Sequence, residues 1–108
     1  MKFTQEIKDK WLEALKSGEY KQGFKTLRTE RGEEIRYCCL GVLGEIHPDL
    51  NSDPITSLEK SPYEYIRQAI GIDPGRIWRQ NDKDKYSEDY PCDYSNVIPI
   101  IEELEVTE

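Results

Sequence analysis

Residues 35–48, IRYCCLGVLGEIHP, change from the pattern of a β-strand to the pattern of an α-helix within a few positions. In the first part the side chains alternate, so that Ile35, Tyr37 and Cys39 share one face of an extended chain. Beyond them the apolar residues recur at helical spacing until a proline ends the segment: Leu40, Leu43, Ile46 or His47, and Pro48. The stretch predicts a strand that leads directly into a short helix.

Two glycines, Gly41 and Gly44, lie inside this predicted helix. Each costs about 1 kcal/mol relative to alanine in a helix. Small residues at such positions indicate that another backbone segment packs closely against the helix.

A second strand-like stretch lies upstream at residues 25–29, KTLRT. Between it and residues 35–39, the sequence RGEE at 31–34 supplies a glycine for a chain reversal. We therefore predict a β-hairpin made of residues 25–29 and 35–39.

Local signals predict helices on both sides of the hairpin. One begins after Thr4 and ends at Gly18, and another begins at Ser61, with proline at its first position, and ends at Gly71. The first carries an apolar stripe: Ile7, Trp11, Ala14 and Leu15.

The C-terminal part is less regular. Residues 76–80 are ambiguous, and residues 81–89 read as a charged loop. A last helix is predicted to be capped by Asp93 or Asn96 and to reach Leu104. The predicted fold class is α+β, with three to four helices packed around a β-hairpin in a single small domain, residues 1–108.

The charge balance limits the classes of partner. The chain has 22 acidic and 15 basic residues, so its formal net charge is −7. This charge repels a phosphate backbone, and we expect no binding to duplex nucleic acid. No apolar run is long enough for a membrane span and no signal peptide is recognisable, which predicts a cytoplasmic protein without membrane association.

The soft metal ligands are few and poorly spaced. The three cysteines are an odd number, and Cys38 and Cys39 are adjacent, which favours reduced thiols over a disulfide framework. Adjacent residues of a strand also point to opposite faces, so a zinc site is disfavoured against buried thiols. We expect no metal and no other cofactor.

Catalytic signatures are missing from the sequence as well. No phosphate-binding loop, nucleophile elbow or zinc-protease motif is present, and the only histidine, His47, is interpreted as a surface residue at a helix C-terminus. The prediction is that the protein is not an enzyme.

Two polar clusters, residues 20–22 with Arg28 and residues 76–81, combine aromatic, amide and cationic side chains, the groups that recognise a base and a phosphate. The alternative is that the aromatic residues belong to the core and the cations cover its rim. The predicted ligand-binding residues are Tyr20, Gln22, Arg28, Tyr37, Trp78, Arg79 and Asn81.

Much of the chain resembles a group of small accessory proteins of tailed bacteriophages. The resemblance rests on the pattern W-x-x-A-L-x-S-G-x-Y-x-Q-G at residues 11–23 and on YCCLGVL at residues 37–43, and it continues weakly at 79–82 and 97–102. The chain departs from the group at Gly44, where a cysteine is common, and in a longer charged insert at residues 83–92.

The resemblance implies an early phage protein that counters bacterial immunity inside the infected cell. Compact, acidic phage proteins of this kind include sponges that sequester nucleotide immune signals, such as the cyclic dinucleotides of CBASS or the cyclic ADP-ribose derivatives of Thoeris. The expected function is therefore to bind a small cyclic nucleotide without catalysis. A symmetric ligand suits a two-fold interface, so we also expect a homo-oligomer, either a dimer or a tetramer.

Two other functions stay open from the sequence. An acidic effector could bind a host protein, with an affinity that falls steeply with salt. A hydrolase could act on a nucleotide signal through a carboxylate or Cys39.

Overall fold

A computed structural model of the chain describes residues 3–24, 26–47, 50, 61–83, 89 and 92–106. Within these ranges the chain forms five helices and a three-stranded sheet, which confirms the predicted α+β class. None of the helices in these ranges combines the length and the apolar character that crossing a bilayer requires. In chain order the elements are α1 (Gln5–Lys16), β1 (Lys21–Gln22), β2 (Arg28–Arg31), β3 (Glu34–Tyr37), α2 (Cys39–Ile46), α3 (Pro62–Ile70), α4 (Gly75–Asp82) and α5 (Ile98–Glu102).

The strands form one mixed sheet in the order β1-β3-β2. β2 and β3 are antiparallel, which confirms the hairpin, but its strands are not residues 25–29 and 35–39. Gly32 adopts a left-handed conformation (φ 62°) in a two-residue loop, so pairing continues up to Arg31 and Glu34. β1 was not predicted, and it pairs parallel to β3 over two residues.

The two adjacent cysteines mark the change from strand to helix. The predicted strand included both, but β3 ends at Tyr37, and Cys38 is the N-cap of α2. The Cys38 Sγ accepts a hydrogen bond from the Gly41 amide at 3.4 Å. Both thiols are buried in the core, and neither residue lies on an exposed face of the chain.

α2 lies at the centre of the core and packs against α1, α3 and α4. A Cβ atom on Gly41 would lie 1.9 Å from the carbonyl oxygen of Leu27, so this position accepts only glycine. The close approach predicted for Gly41 is therefore confirmed. On the α1 side, Trp11 Nε1 donates a hydrogen bond to the carbonyl of Cys39 at 2.9 Å.

The predicted ends of α1 and α3 are confirmed. Thr4 Oγ1 accepts from the Ile7 amide at 3.2 Å, and Ser61 Oγ accepts from the Tyr63 amide at 3.2 Å. Gly18 and Gly71 follow the two helices with φ values of 80° and 78°. These ends were predictable because each depends on residues within one turn.

α4 is a helix in the region that was ambiguous in the sequence. The Asp73 carboxylate accepts from the Gly75 amide at 2.9 Å and so supports the first turn. The helix extends through Asn81 and Asp82, so the prediction that both belong to a loop was wrong. Residues 84–88 of that predicted loop lie outside the described part of the chain.

α5 is shorter than the predicted helix. Val97 occupies its N-cap position, so neither Asp93 nor Asn96 caps it, and Pro99 lies in the first turn, where it is tolerated. Lys8 Nζ donates to the carbonyl of Leu104 at 2.6 Å, which ties α1 to the chain after α5.

His47 follows α2 as its C-cap, as predicted, but it is not on the surface. Its side chain is buried, and its ring centroid lies 4.9 Å from that of Tyr65. Tyr65 of α3 packs over this end of α2 and excludes the histidine from solvent.

Candidate ligand-binding site

Two tyrosines pack edge to face beside the sheet. The ring centroids of Tyr20, which precedes β1, and Tyr37, at the end of β3, are 5.5 Å apart with an interplanar angle of 82°. Burial, followed by the charge of Glu45 on α2, raises the pKa of both phenols, and the Tyr37 hydroxyl donates to the Glu45 carboxylate. The pair therefore presents neutral aromatic rings next to one carboxylate.

Arg28 of β2 lies directly opposite Tyr37 in the antiparallel ladder, on the same face of the sheet. Its guanidinium forms an ion pair with Glu30, two residues along the same strand. The Arg28 Nε is buried and has no hydrogen-bond partner among the described residues. Three of the predicted ligand-binding residues thus lie next to one another.

A concavity of about 340 Å³ opens beside the tyrosine pair. Three glutamates face one lysine in its lining, so the rim is acidic. Glu34 accepts from both Lys21 (3.2 Å) and Arg36 (2.8 Å), and these contacts hold the pKa of its carboxyl below the ordinary value. The lining residues are Glu19, Tyr20, Lys21, Glu33, Glu34, Ile35 and Tyr37.

A second concavity, of about 400 Å³, lies between the end of α1 and residues 92–98. It shares Tyr20 and Lys21 with the first concavity, so the Tyr20 side chain borders both. Lys16 adds a second cation there, and Asp93 adds an acid.

Gln22 and Asn81 also come together, but inside the protein. Both side chains are fully buried, and Gln22 Nε2 donates to Asn81 Oδ1 at 3.0 Å and to Asn96 Oδ1 at 3.0 Å. The Gln22 Oε1 accepts from the Tyr94 amide at 2.9 Å. The hydrogen-bonding groups of Gln22 are thus satisfied within the chain.

Asn81 joins the same network through both ends of its amide. Its Oδ1 also accepts from the Cys39 amide at 3.2 Å, at the start of α2, and its Nδ2 donates to the Gly23 carbonyl at 2.9 Å. The network therefore connects β1, α2, α4 and the segment before α5. A ligand-binding role for Gln22 and Asn81 stays a prediction.

Trp78 and Arg79 lie on the exposed side of α4. The Trp78 side chain is 37% exposed, and the Arg79 Cζ lies 5.3 Å from its ring centroid. Arg79 also faces Asp73 at 3.8 Å. A ligand-binding role for these two residues likewise stays a prediction.

Glu45 and Asn96 are partners of the predicted residues that the sequence does not indicate. Glu45 reaches the tyrosine pair only because α2 packs behind the sheet, and Asn96 reaches Gln22 across 74 positions of the chain. Neither contact has a local sequence signal.

The buried thiols are poor nucleophiles. Burial raises the pKa of Cys38 to about 12 and the pKa of Cys39 well above its ordinary value. Both are neutral thiols at neutral pH, whereas a nucleophilic cysteine reacts as the thiolate. Among the described residues, no group of three or more His, Cys, Asp or Glu side chains is arranged to hold a metal ion.

Comparison with known proteins gives one family match. A family model described as a domain of unknown function, DUF8296, matches residues 1–106. No curated protein and no solved structure matches the chain significantly.

Proposed function

We propose that this chain, which is a member of the DUF8296 family, binds and sequesters a small nucleotide signal without converting it. In this proposal a base contacts the Tyr20–Tyr37 pair and a phosphate binds Arg28. The ligand is a cyclic dinucleotide or a related cyclic nucleotide.

The adjacency of Tyr20, Tyr37 and Arg28 carries the proposal. These residues come from three separate segments, and the fold brings an aromatic pair and a guanidinium to one face of the sheet. Aromatic rings and guanidinium groups are the side chains on which bases stack and to which phosphates bind. The Arg28 side chain is 36% exposed, so a phosphate from solvent can reach its guanidinium.

The acidic rim favours a ligand with little charge. Glu19, Glu33 and Glu34 outnumber Lys21 in the concavity, so a terminal triphosphate is repelled there. A cyclic phosphodiester has one negative charge per phosphate, and carboxylates accept hydrogen bonds from amino groups at base edges. The charge distribution thus supports a cyclic nucleotide over a nucleoside triphosphate.

The burial of two cysteines argues against a hydrolase that uses a cysteine nucleophile. Because Cys38 and Cys39 are neutral and enclosed, Cys39 is a poor candidate for the nucleophile of a nucleotide hydrolase. Sequestration requires only stoichiometric binding. The resemblance to phage accessory proteins supports an anti-defence role in the cytoplasm of an infected bacterium.

A thermal-shift panel tests the proposal. The panel contains cyclic dinucleotides, cyclic oligonucleotides, cyclic ADP-ribose isomers and linear mononucleotides. At one hundred times its dissociation constant a ligand adds about 2.7 kcal/mol, which raises the unfolding midpoint of a domain of this size by roughly 10 °C or more. We expect such a shift with a cyclic member and little shift with triphosphates.

The chemical state of the bound ligand distinguishes sequestration from catalysis. The complex is denatured by heat and the released ligand is analysed by chromatography. Intact ligand is the expected result, whereas a converted product would establish a hydrolase. A panel without any shift at millimolar ligand would contradict the nucleotide-binding proposal.

One observation favours a host protein as a second candidate partner. Ile35 is 40% exposed inside the same acidic rim, a combination that suits a basic protein surface with an apolar contact. Under this alternative, Ile35→Lys abolishes capture of the host protein and added salt weakens it steeply. The Arg28→Ala variant leaves that capture unchanged.

A further inference from the structure

The hydrogen-bond pattern of the hairpin shows which backbone groups of β2 point away from β3. The Cys38 amide donates to the Leu27 carbonyl at 3.2 Å, so this pair is hydrogen-bonded. Hydrogen-bonded and non-hydrogen-bonded pairs alternate along an antiparallel ladder. The next pair, Arg28–Tyr37, is therefore non-hydrogen-bonded. Glu30 lies two residues further along β2, so its pair with Ile35 is also non-hydrogen-bonded. The backbone groups of Arg28 and Glu30 consequently face the outer edge of the sheet.

This outer edge is open in the part of the chain that the structure describes. The only hydrogen bond that its outward backbone groups make to described residues runs from Thr26 Oγ1 to the Arg28 carbonyl, at 3.1 Å. A carbonyl oxygen has two lone pairs, so this acceptor retains capacity. An open strand edge is a template for pairing with another strand.

We propose that β2 pairs antiparallel with β2 of a second copy of the chain, with the two-fold axis passing through Thr29. In this register Arg28 lies opposite Glu30 of the second copy, and Glu30 lies opposite the second Arg28. The residues whose backbone groups face outward are thereby placed opposite each other, as a hydrogen-bonded pair requires. The inference does not depend on a ligand.

Charge selects this register from the others that the backbone allows. A residue whose backbone groups face outward must lie opposite another such residue. The allowed registers therefore differ by steps of two residues, and in each of them Arg28 and Glu30 lie opposite outward-facing residues. A shift in one direction places Arg28 opposite Arg28 of the second copy, and a shift in the other direction places Glu30 opposite Glu30 of the second copy. Like charges directly opposite each other destabilise a strand pair, whereas opposite charges stabilise it. The register centred on Thr29 is the one with two opposite-charge pairs.

Pairing at this edge joins the two sheets into one and brings the two candidate sites together. Arg28 and Tyr37 lie on one face, so the second copy places its own Arg28 next to that face. Arg28 and Glu30 of the two copies then surround the two-fold axis, and each of these four charges lies opposite a charge of the other sign. A ligand that bridges the axis meets one arginine from each copy.

Sedimentation equilibrium of charge variants tests the pairing. At physiological salt we expect the wild-type chain to shift from monomer to dimer as its concentration rises. Arg28→Glu and Glu30→Arg each create two like-charge contacts, and each is expected to weaken association about ten-fold or more. The double variant Arg28→Glu/Glu30→Arg restores two opposite-charge contacts and the dimer.

Mixing the two single variants provides the decisive comparison. Each variant has lost the Arg28–Glu30 ion pair within its own chain, so a contribution within one chain cannot be restored by mixing. Between the two variants every contact is of opposite charge, and we expect a one-to-one heterodimer. Thermal unfolding of each variant verifies that it is folded.

A cysteine placed on the axis gives an independent measurement. Thr29 opposes its own counterpart as a non-hydrogen-bonded pair, at a Cα separation of about 4.5 Å that a disulfide spans. Thr29→Cys in a Cys92→Ser background is expected to cross-link on oxidation. Arg36→Cys is the matched control: Arg36 lies directly opposite Thr29 on the same face of the sheet, but β3 of one copy is three strand spacings, about 14 Å, from β3 of the other.

Three results would overturn the proposal. They are a wild-type chain that stays monomeric up to millimolar concentration, a mixture of single variants that does not associate, and equal cross-linking at positions 36 and 29. Association that persists in every charge variant would place the interface elsewhere on the molecule.

Discussion

Gln22 Nε2 donates a hydrogen bond to Asn81 Oδ1 at 3.0 Å, and neither side chain is exposed to solvent. The bond joins β1 to α4 across 59 positions of the chain. Buried amides are costly unless their donors and acceptors are paired, and here nearby backbone groups complete the pairing. The contact therefore belongs to the framework that supports the candidate site.

Replacing Asn81 with leucine should destabilise the protein by about 3 kcal/mol or more. The substitution preserves the approximate volume but leaves Gln22 Nε2 short of an acceptor and the Cys39 amide unpaired. Urea denaturation measures the change in the free energy of unfolding. Gln68→Ala is the control, because its exposed amide bonds to Glu64 alone among the described residues and its loss should cost less than about 0.5 kcal/mol.

Gly41 and Gly18 should differ strongly in how much stability the protein loses when each is replaced by alanine. Gly41→Ala forces a Cβ into the Leu27 carbonyl and should cost more than about 3 kcal/mol or prevent folding. Gly18→Ala meets no atom of the described residues within 4 Å, and its positive φ is unfavourable, so its cost should be about 1 kcal/mol. Equal losses in thermal unfolding would contradict the close packing of α2 against Leu27.

Stability should fall at alkaline pH in a way that depends on Cys38. Burial raises the pKa of this thiol to about 12 in the folded chain, so between about pH 9 and 12 the unfolded chain binds fewer protons than the folded one. The contribution of the neutral thiol to the free energy of unfolding is fully present below pH 9. Above pH 9 this contribution decreases by up to about 1.4 kcal/mol per pH unit for one proton.

Cys38→Ser removes this titration and retains an atom that can cap α2. The free energy of unfolding of the variant should therefore decrease less steeply than that of the wild type between pH 9 and 10.5. Parallel curves for the two proteins would show that Cys38 is accessible to ionisation in the folded chain.

Ligand affinity should depend on Arg28 but not on Arg67. A charge-assisted hydrogen bond to phosphate contributes about 1.5–3 kcal/mol, so Arg28→Ala should weaken binding of the cyclic nucleotide at least about ten-fold in calorimetry. Arg67→Ala is the matched control, because it removes the same charge from α3, where Arg67 pairs with Glu64 at 2.9 Å and no described residue lines the concavity. Equal losses from the two arginines would indicate attraction by overall charge alone.

The aromatic contact should depend on the ring of Tyr20 and not on its hydroxyl. Tyr20→Ala removes a stacking surface worth about 1–3 kcal/mol per base, whereas Tyr20→Phe retains it. Calorimetry should show at least about five-fold weaker binding for the alanine variant and near wild-type affinity for the phenylalanine variant. The reverse order would assign the contact to the hydroxyl.

The predictable parts of the fold are those with local causes. Thr4, Ser61 and Gly71 define helix ends through contacts within one turn, and a strand, a turn and a helix were predicted around Gly32 and Gly41. β1 was not predictable, because two residues have no period and their pairing depends on where β3 lies.

The residues of the candidate site were predicted from their types, but their arrangement in space was not. Tyr20, Arg28 and Tyr37 lie next to one another on the sheet, an arrangement that the sequence did not indicate, whereas Gln22 and Asn81 form hydrogen bonds inside the protein. Sequence identifies an amide as polar but not whether its partner is water, ligand or a distant backbone group. That choice is made by packing between segments far apart in the chain.

The two tryptophans occupy opposite environments, which gives the protein two separate fluorescent reporters. Trp11 is enclosed, with its indole N–H bonded to Cys39, while Trp78 is partly open to solvent beneath Arg79. A neutral quencher such as acrylamide should therefore reach Trp78 first. In a Trp78→Phe variant the remaining emission reports on the core alone, and in a Trp11→Phe variant it reports on the surface of α4.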